Sequence, residues 1–158
     1  MSRAFVKEND TAPQPVPERP ISSAPNLVTP RGARLIKETL VELQTRLGGA
    51  AHEEAEAIRR DLRYWSSRLA SMRIVAPVSV PEVVGVGTRV TIRRGAVGSV
   101  VTIVGEDESD PPNGRIAWTA PLARALAGAA AGDVVELETS GRREAIVVVA
   151  LSSSPTES

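Results

Sequence analysis

The chain has no cysteine, a single histidine, four aromatic residues and no long apolar run. Without cysteine there are no disulfides, no zinc ribbon and no thiol chemistry, a usage compatible with a reducing compartment. One imidazole, His52, rules out any site that needs two. With aromatics at 3% of residues, a core must be built from Val, Leu, Ile and Ala. No segment approaches the ~20 apolar residues of a membrane span, and the N-terminus lacks the apolar stretch of a signal peptide. The expectation is a cytoplasmic, soluble protein with no membrane partner.

What is present is unevenly spread. The 158 residues carry no net charge, enough chain for one domain or two small ones. Nine Lys/Arg face six Asp/Glu between Arg31 and Val75, and seven face ten from Ala76 onward. A mildly basic part beside a mildly acidic part is not the strongly basic footprint of a nucleic-acid binder. No direct, sequence-specific nucleic-acid contact is therefore expected.

Proline marks the first boundary. Pro13, Pro15, Pro17, Pro20 and Pro25 lie among polar residues, so residues 1–26 are expected to form a disordered arm. Thr29 then stands as an N-cap with Pro30 as first helical residue. Ile36, Leu40, Leu43 and Leu47 recur at helical spacing, Gly48-Gly49 breaks the run, and Ala51, Ala55, Ile58, Leu62, Trp65, Leu69 and Met72 resume it. Two such seams joined by a short turn predict an antiparallel helical hairpin over 27–75. Lys37, Glu38, Glu42, Arg59, Arg60, Arg63 and Arg68 are assigned to its outer face.

Pro77 and Pro81 open a linker over 76–86. Strand patterns follow at Gly87–Arg93, Ser99–Val104, Gly114–Trp118, Asp133–Glu138 and Glu144–Leu151, with a hairpin turn at Ser140–Arg142. A short helix opening at Pro121 and closed by Gly128 lies between the third and fourth strands. These elements predict an α+β chain whose second domain, 87–151, is an antiparallel β domain with one short helix. Residues 152–158 read as a polar tail.

The residues hold no catalytic constellation: no phosphate-cradling glycine loop, no nucleophile with an oriented base, no metal-ligand cluster. Glu106-Asp-Glu-Ser-Asp110 packs four carboxylates into five residues but lacks the spacing of a calcium loop, and reads as an acidic turn. The chain is thus expected not to be an enzyme, with no metal site and no cofactor of its own.

One segment says more. Ala120-Pro-Leu-Ala-Arg-Ala-Leu-Ala-Gly-Ala-Ala-Ala-Gly-Asp133 resembles the C-terminal signature S-P-x-A-x-A-L-x-G-x-x-x-G-D of the bacterial GreA/GreB transcription elongation factors, with Ala120 replacing the serine. Val104-Gly-Glu-Asp-Glu-Ser-Asp110 is similar to the family's V-G-x-x-E-x-D. Thr29-Pro-Arg-Gly32 resembles its opening T-x-x-G, and Arg59–Val75 looks most like GreB. The resemblance spans roughly residues 27–151. It implies an FKBP-like C-terminal domain, without implying prolyl-isomerase activity. It implies bacterial RNA polymerase as partner, gripped at the secondary channel, with Trp118, Thr119, Ala120, Pro121 and Arg124 on the docking side.

In that family the hairpin enters the channel, and carboxylates at its tip help to hold a catalytic metal ion in the polymerase. Here the hairpin is far shorter. Gly49-Ala-Ala-His52-Glu53-Glu54-Ala55 aligns with the tip motif G-D-x-x-E-N-A, but Ala50 replaces its aspartate. One carboxylate adds little to a hydrated magnesium ion. His52, Glu53 and Glu54 are accordingly expected to form a plain helix start, magnesium being met only indirectly through the polymerase. The resemblance implies a monomeric, non-enzymatic accessory factor that docks without stimulating cleavage. The alternatives are a true cleavage factor, or a short-hairpin, Rnk-like regulator of nucleoside diphosphate kinase.

Overall fold

Helix α1 (Pro30–Leu47) starts where its caps dictate: the Thr29 hydroxyl accepts from Gly32 N–H at 3.1 Å and Pro30 fills the first helical position. It turns back through Gly48–Ala51 into α2 (His52–Ser71). The two helices span about 27 and 30 Å at ~1.5 Å per residue. Ile36, Leu40, Leu43, Ala55 and Ile58 are buried along the seam, with Leu62, Trp65, Leu69 and Met72 packed in at its base. This computed structural model describes residues 15–155. The first fourteen residues of the proline-rich arm and the last three of the polar tail lie outside the described residues.

The helical pattern of α2 runs to Met72, and the helix stops at Ser71 for a tertiary reason. Arg73 N–H donates to the Asn26 carbonyl and Val75 N–H to the Val28 carbonyl, each at 2.8 Å. These bonds join two short strands, β1 (Leu27–Val28) and β2 (Arg73–Ile74), into a parallel pair at the hairpin base.

Five further strands, β3 (Thr88–Arg94), β4 (Val97–Val104), β5 (Arg115–Ala117), β6 (Val134–Thr139) and β7 (Arg142–Ser153), form one sheet in the order β5-β4-β3-β7-β6. All five expected strands are present, but β4 and β5 pair in parallel, so the sheet is mixed rather than antiparallel throughout. The β4–β5 connection is long enough for this because two 3₁₀ turns, Glu106–Glu108 and Pro111–Asn113, carry the chain back. Alternation sends Val90, Ile92, Val101, Ile103, Ile146 and Val148 to one face, where α3 (Pro121–Leu126) closes the core with Leu126 and Ala123. The opposite face, carrying Arg89, Val100, Thr102 and Val104, looks toward the start of α1.

Three expectations change at the margins. From Glu18 on, the supposed disordered arm makes contacts: Glu18 pairs with Arg63, Arg19 stacks over the Tyr64 ring at 3.9 Å, and Asn26 is buried. Val84, in the expected linker, is buried and exchanges hydrogen bonds with Ala129 and Gly128. Ser152 and Ser153, placed in the tail, extend β7, because Thr88 and Arg89 on β3 offer them pairing partners.

Candidate functional site

The segment after β5 is held by its backbone. Trp118 N–H donates to the Val104 carbonyl at 2.9 Å and Ala120 N–H to the Ala117 carbonyl at 2.9 Å, making a tight turn into α3. Pro121 takes the first helical position. Gly128 at φ 76° follows the helix end and lets the chain reverse. Leu122, Ala123 and Leu126 face the core, which leaves Pro121 and Arg124 exposed and Thr119 and Ala120 half-buried. Trp118 packs against the same core, and its Nε1–H is buried without a hydrogen-bond partner among the described residues. The five residues expected on a docking side thus occupy one continuous turn and helix start.

The hairpin tip stands apart from that turn. His52, Glu53 and Glu54 are exposed in the first turn of α2, behind an N-cap, Ala51, that supplies no side-chain hydrogen bond. Carboxylates in this position favour the helix electrostatically. Glu54 also lies 3.7 Å from Arg46 across the turn, an exposed pair. Among the described residues no group of three or more His, Cys, Asp or Glu side chains is arranged to hold a metal ion.

The acidic turn has a role that its spacing did not disclose. Glu108 is 4% exposed, and its carboxylate accepts from the Thr29 hydroxyl at 2.7 and 2.8 Å and from the backbone N–H groups of Thr29 and Gly105 at 3.3 Å each. A negative charge at the N-terminus of α1 satisfies amide and hydroxyl donors and complements the helix dipole. Gly32 is required there: a Cβ on it would stand 2.3 Å from Glu108 Oε2. Gly105 is equally constrained, since a Cβ would lie 2.6 Å from the Leu27 carbonyl oxygen. The motifs Thr29-x-x-Gly32 and Gly105-x-x-Glu108 are two halves of one lock between hairpin and sheet.

Asp107 and Glu106 complete the junction from the other side. Arg68, expected on the outer face of α2, is instead 1% exposed. Its Nε donates to Asp107 at 2.6 Å, its Nη2 to Asn26 at 2.7 Å, and Glu106 lies at 3.5 Å. The correction has a plain cause: a guanidinium is buried only when paired, and residues distant in sequence supply the pairing. Tyr64 donates to Asp107 at 2.5 Å; burial, then this bond, raises its phenol to about 12. The sequence showed Gly32 and Glu108 as members of two separate motifs, and nothing in their spacing said that the two meet.

Comparison with known proteins follows this division of the chain. Residues 79–153 match the family model described as transcription elongation factor, GreA/GreB, C-terminal. The chain is 33% identical over 96 residues to the transcription elongation factor GreA of Pseudomonas aeruginosa, covering 58% of this chain and 61% of that protein. It is 36% identical over 97 residues to GreB of Neisseria meningitidis, covering 60% of each. The chain therefore spans about three fifths of the length of these relatives. Among solved structures, the GreA factor homolog Gfh1 of Thermus thermophilus is similar at 19% identity and TM-score 0.39, over 81% of this chain and 99% of that one. The GreA/GreB factor of Nitrosomonas europaea is similar at 24% identity and TM-score 0.41, over 80% and 98%.

Proposed function

We propose, since the chain belongs to the GreA/GreB superfamily through its C-terminal domain, that it is a non-enzymatic accessory factor of bacterial RNA polymerase. It docks at the secondary channel with the turn Trp118–Pro121 and Arg124, and it does not stimulate transcript cleavage. The reading rests on one combination: a retained docking segment on a rigid core, and a hairpin tip with Ala50 where the family's tip motif has an aspartate. Two exposed carboxylates in the first turn of α2, Glu53 and Glu54, with Glu54 already 3.7 Å from Arg46, are a poor chelator of a hydrated divalent ion. Short helices add a second reason, because a rigid hairpin of about 27–30 Å cannot stretch to a more distant centre.

Occupying the channel without cutting makes such a protein a competitor of longer channel-binding factors. Two measurements test this. Polymerase should be retained by the full chain and lost with Thr119→Asp or Arg124→Glu; absence of binding by the unmodified chain would sink the proposal. Stalled elongation complexes should show no added transcript cleavage. Stimulation that disappears in the Glu53→Ala, Glu54→Ala double variant would instead establish a cleavage factor.

A further inference from the structure

The proline-rich segment ahead of the hairpin is seated on α2. Residues 15–22 belong to no helix or strand, yet Glu18, Arg19 and Ser22 are each held by a partner. Glu18 accepts from Arg63 Nε at 3.0 and 3.1 Å. The Arg19 guanidinium lies 3.9 Å from the centre of the Tyr64 ring and 5.7 Å from that of Trp65, with Asp61 at 3.6 Å. Ser22 donates to Glu106 at 2.9 Å. None of these partners belongs to the hairpin tip or to the turn ahead of α3.

The receiving surface suits a guanidinium. Tyr64 and Trp65 stand edge to face, with ring centres 5.2 Å apart and planes at 90°, and the Tyr64 hydroxyl is tied to Asp107. A planar cation is attracted to such ring faces, and Asp61, shared with Arg60 at 3.0 Å, supplies counter-charge. Arg63 beside it takes the carboxylate that precedes the arginine. Pro17 and Pro20 flank the pair and restrict the backbone, which lowers the cost of ordering it.

The two ends of this segment are held differently. Asn26 is buried and exchanges hydrogen bonds with Arg68 at 2.7 and 2.8 Å. The contacts of Glu18, Arg19 and Ser22 reach solvent, so each is weak and screened by salt. A bend at Ser23–Ala24 separates the two parts. We propose that the Asp61–Tyr64–Trp65 face of α2, with Arg63 beside it, is a docking site for an arginine-bearing, proline-flanked segment of a partner protein. Residues 17–22 fill it in cis as an autoinhibitory strap. Lifting the strap about Ser23–Ala24 uncovers both rings while Asn26 stays anchored, and the partner's arginine takes the place of Arg19.

Amide NMR of the isotope-labelled full chain tests this, because its two tryptophans give two assignable indole signals. The Glu18→Gln, Arg19→Gln double variant should shift the Trp65 signal and leave that of Trp118 in place, which also shows that the sheet domain is folded. An unlabelled peptide of residues 15–24 should then return the Trp65 signal toward its parent position at millimolar concentration. The parent should bind that peptide about tenfold more weakly or worse, since a site roughly nine-tenths filled by its own arm leaves a tenth open. The same peptide carrying Arg19→Gln should bind neither protein. An unmoved Trp65 signal in the double variant, equal affinity of the peptide for parent and variant, equal binding of the glutamine peptide, or no binding at millimolar concentration would each overturn the proposal. None of these readouts involves polymerase, so failure here leaves the docking proposal standing.

Discussion

Replacing Gly32 by alanine sets two effects against each other. Helix propensity alone favours alanine over glycine by up to ~1 kcal/mol. The new Cβ, however, would stand 2.3 Å from Oε2, 2.5 Å from Cδ and 2.9 Å from Cγ of Glu108. The carboxylate has to shift, and its side chain is 1% exposed, so it moves away from the donors that hold it. Hydrogen bonds to a buried charge are worth about 1.5–3 kcal/mol each, and Glu108 accepts from three groups on Thr29 and Gly105. Losing even part of that set outweighs the propensity gain. Net destabilisation should be about 2–3 kcal/mol, a fall in Tm of roughly 4–12 °C for a chain of this size. Thermal unfolding of four proteins checks it: the parent, Gly32→Ala, Glu108→Ala and the double variant. In the Glu108→Ala background the alanine at 32 meets no obstacle and should be neutral or stabilising. An equal loss in both backgrounds, or a Gly32→Ala Tm at or above the parent's, would refute the lock.

Arg68→Met should cost about 3–5 kcal/mol in urea unfolding, because Asp107 is left buried and unpaired; adding Asp107→Asn should recover part of that loss. Tyr64 is the only tyrosine, so its phenolate absorbance reports one group, and the folded chain should titrate near pH 12 against ~10 when unfolded. A phenol whose proton is held more tightly in the folded state contributes stability that is complete below pH ~10 and lost as pH rises toward 12. Tyr64→Phe should therefore flatten the decline in stability across that window, as read by denaturant midpoints at each pH. Trp118→Phe removes a donor that has no partner among the described residues, so stability should stay within ~1 kcal/mol of the parent by urea midpoint.

Much of the architecture was legible because it depends on local pattern. Thr29-Pro30 fixes a helix start, Gly48-Gly49 a reversal, Ser140-Gly141 a hairpin, and the alternation in β3 and β7 a sheet with one buried face. The turn into α3 could be placed for the same reason, since Pro121 and Gly128 bound that helix by backbone geometry alone. Arg68 could not be placed, because helical spacing says which side of α2 it occupies and not that Asn26 and Asp107 are waiting there. The parallel pairing of β5 was hidden too, since alternation is the same in parallel and antiparallel strands.

The sequence by itself determined the two hairpin helices, the five strands of the large sheet and α3, their order, and the likeness of residues 79–153 to the GreA/GreB family, all of which rest on residues near one another in the chain. Tertiary structure decided what the acidic turn does and which arginines come to line one cavity. Glu108 meets Thr29 across 79 residues, and Arg31 and Arg34 meet Arg89 and Arg115 only when the hairpin base settles on the open face of the sheet. Burial of a carboxylate, and the meeting of distant side chains around a cavity, are properties of surfaces brought together by folding, and no local pattern carries them.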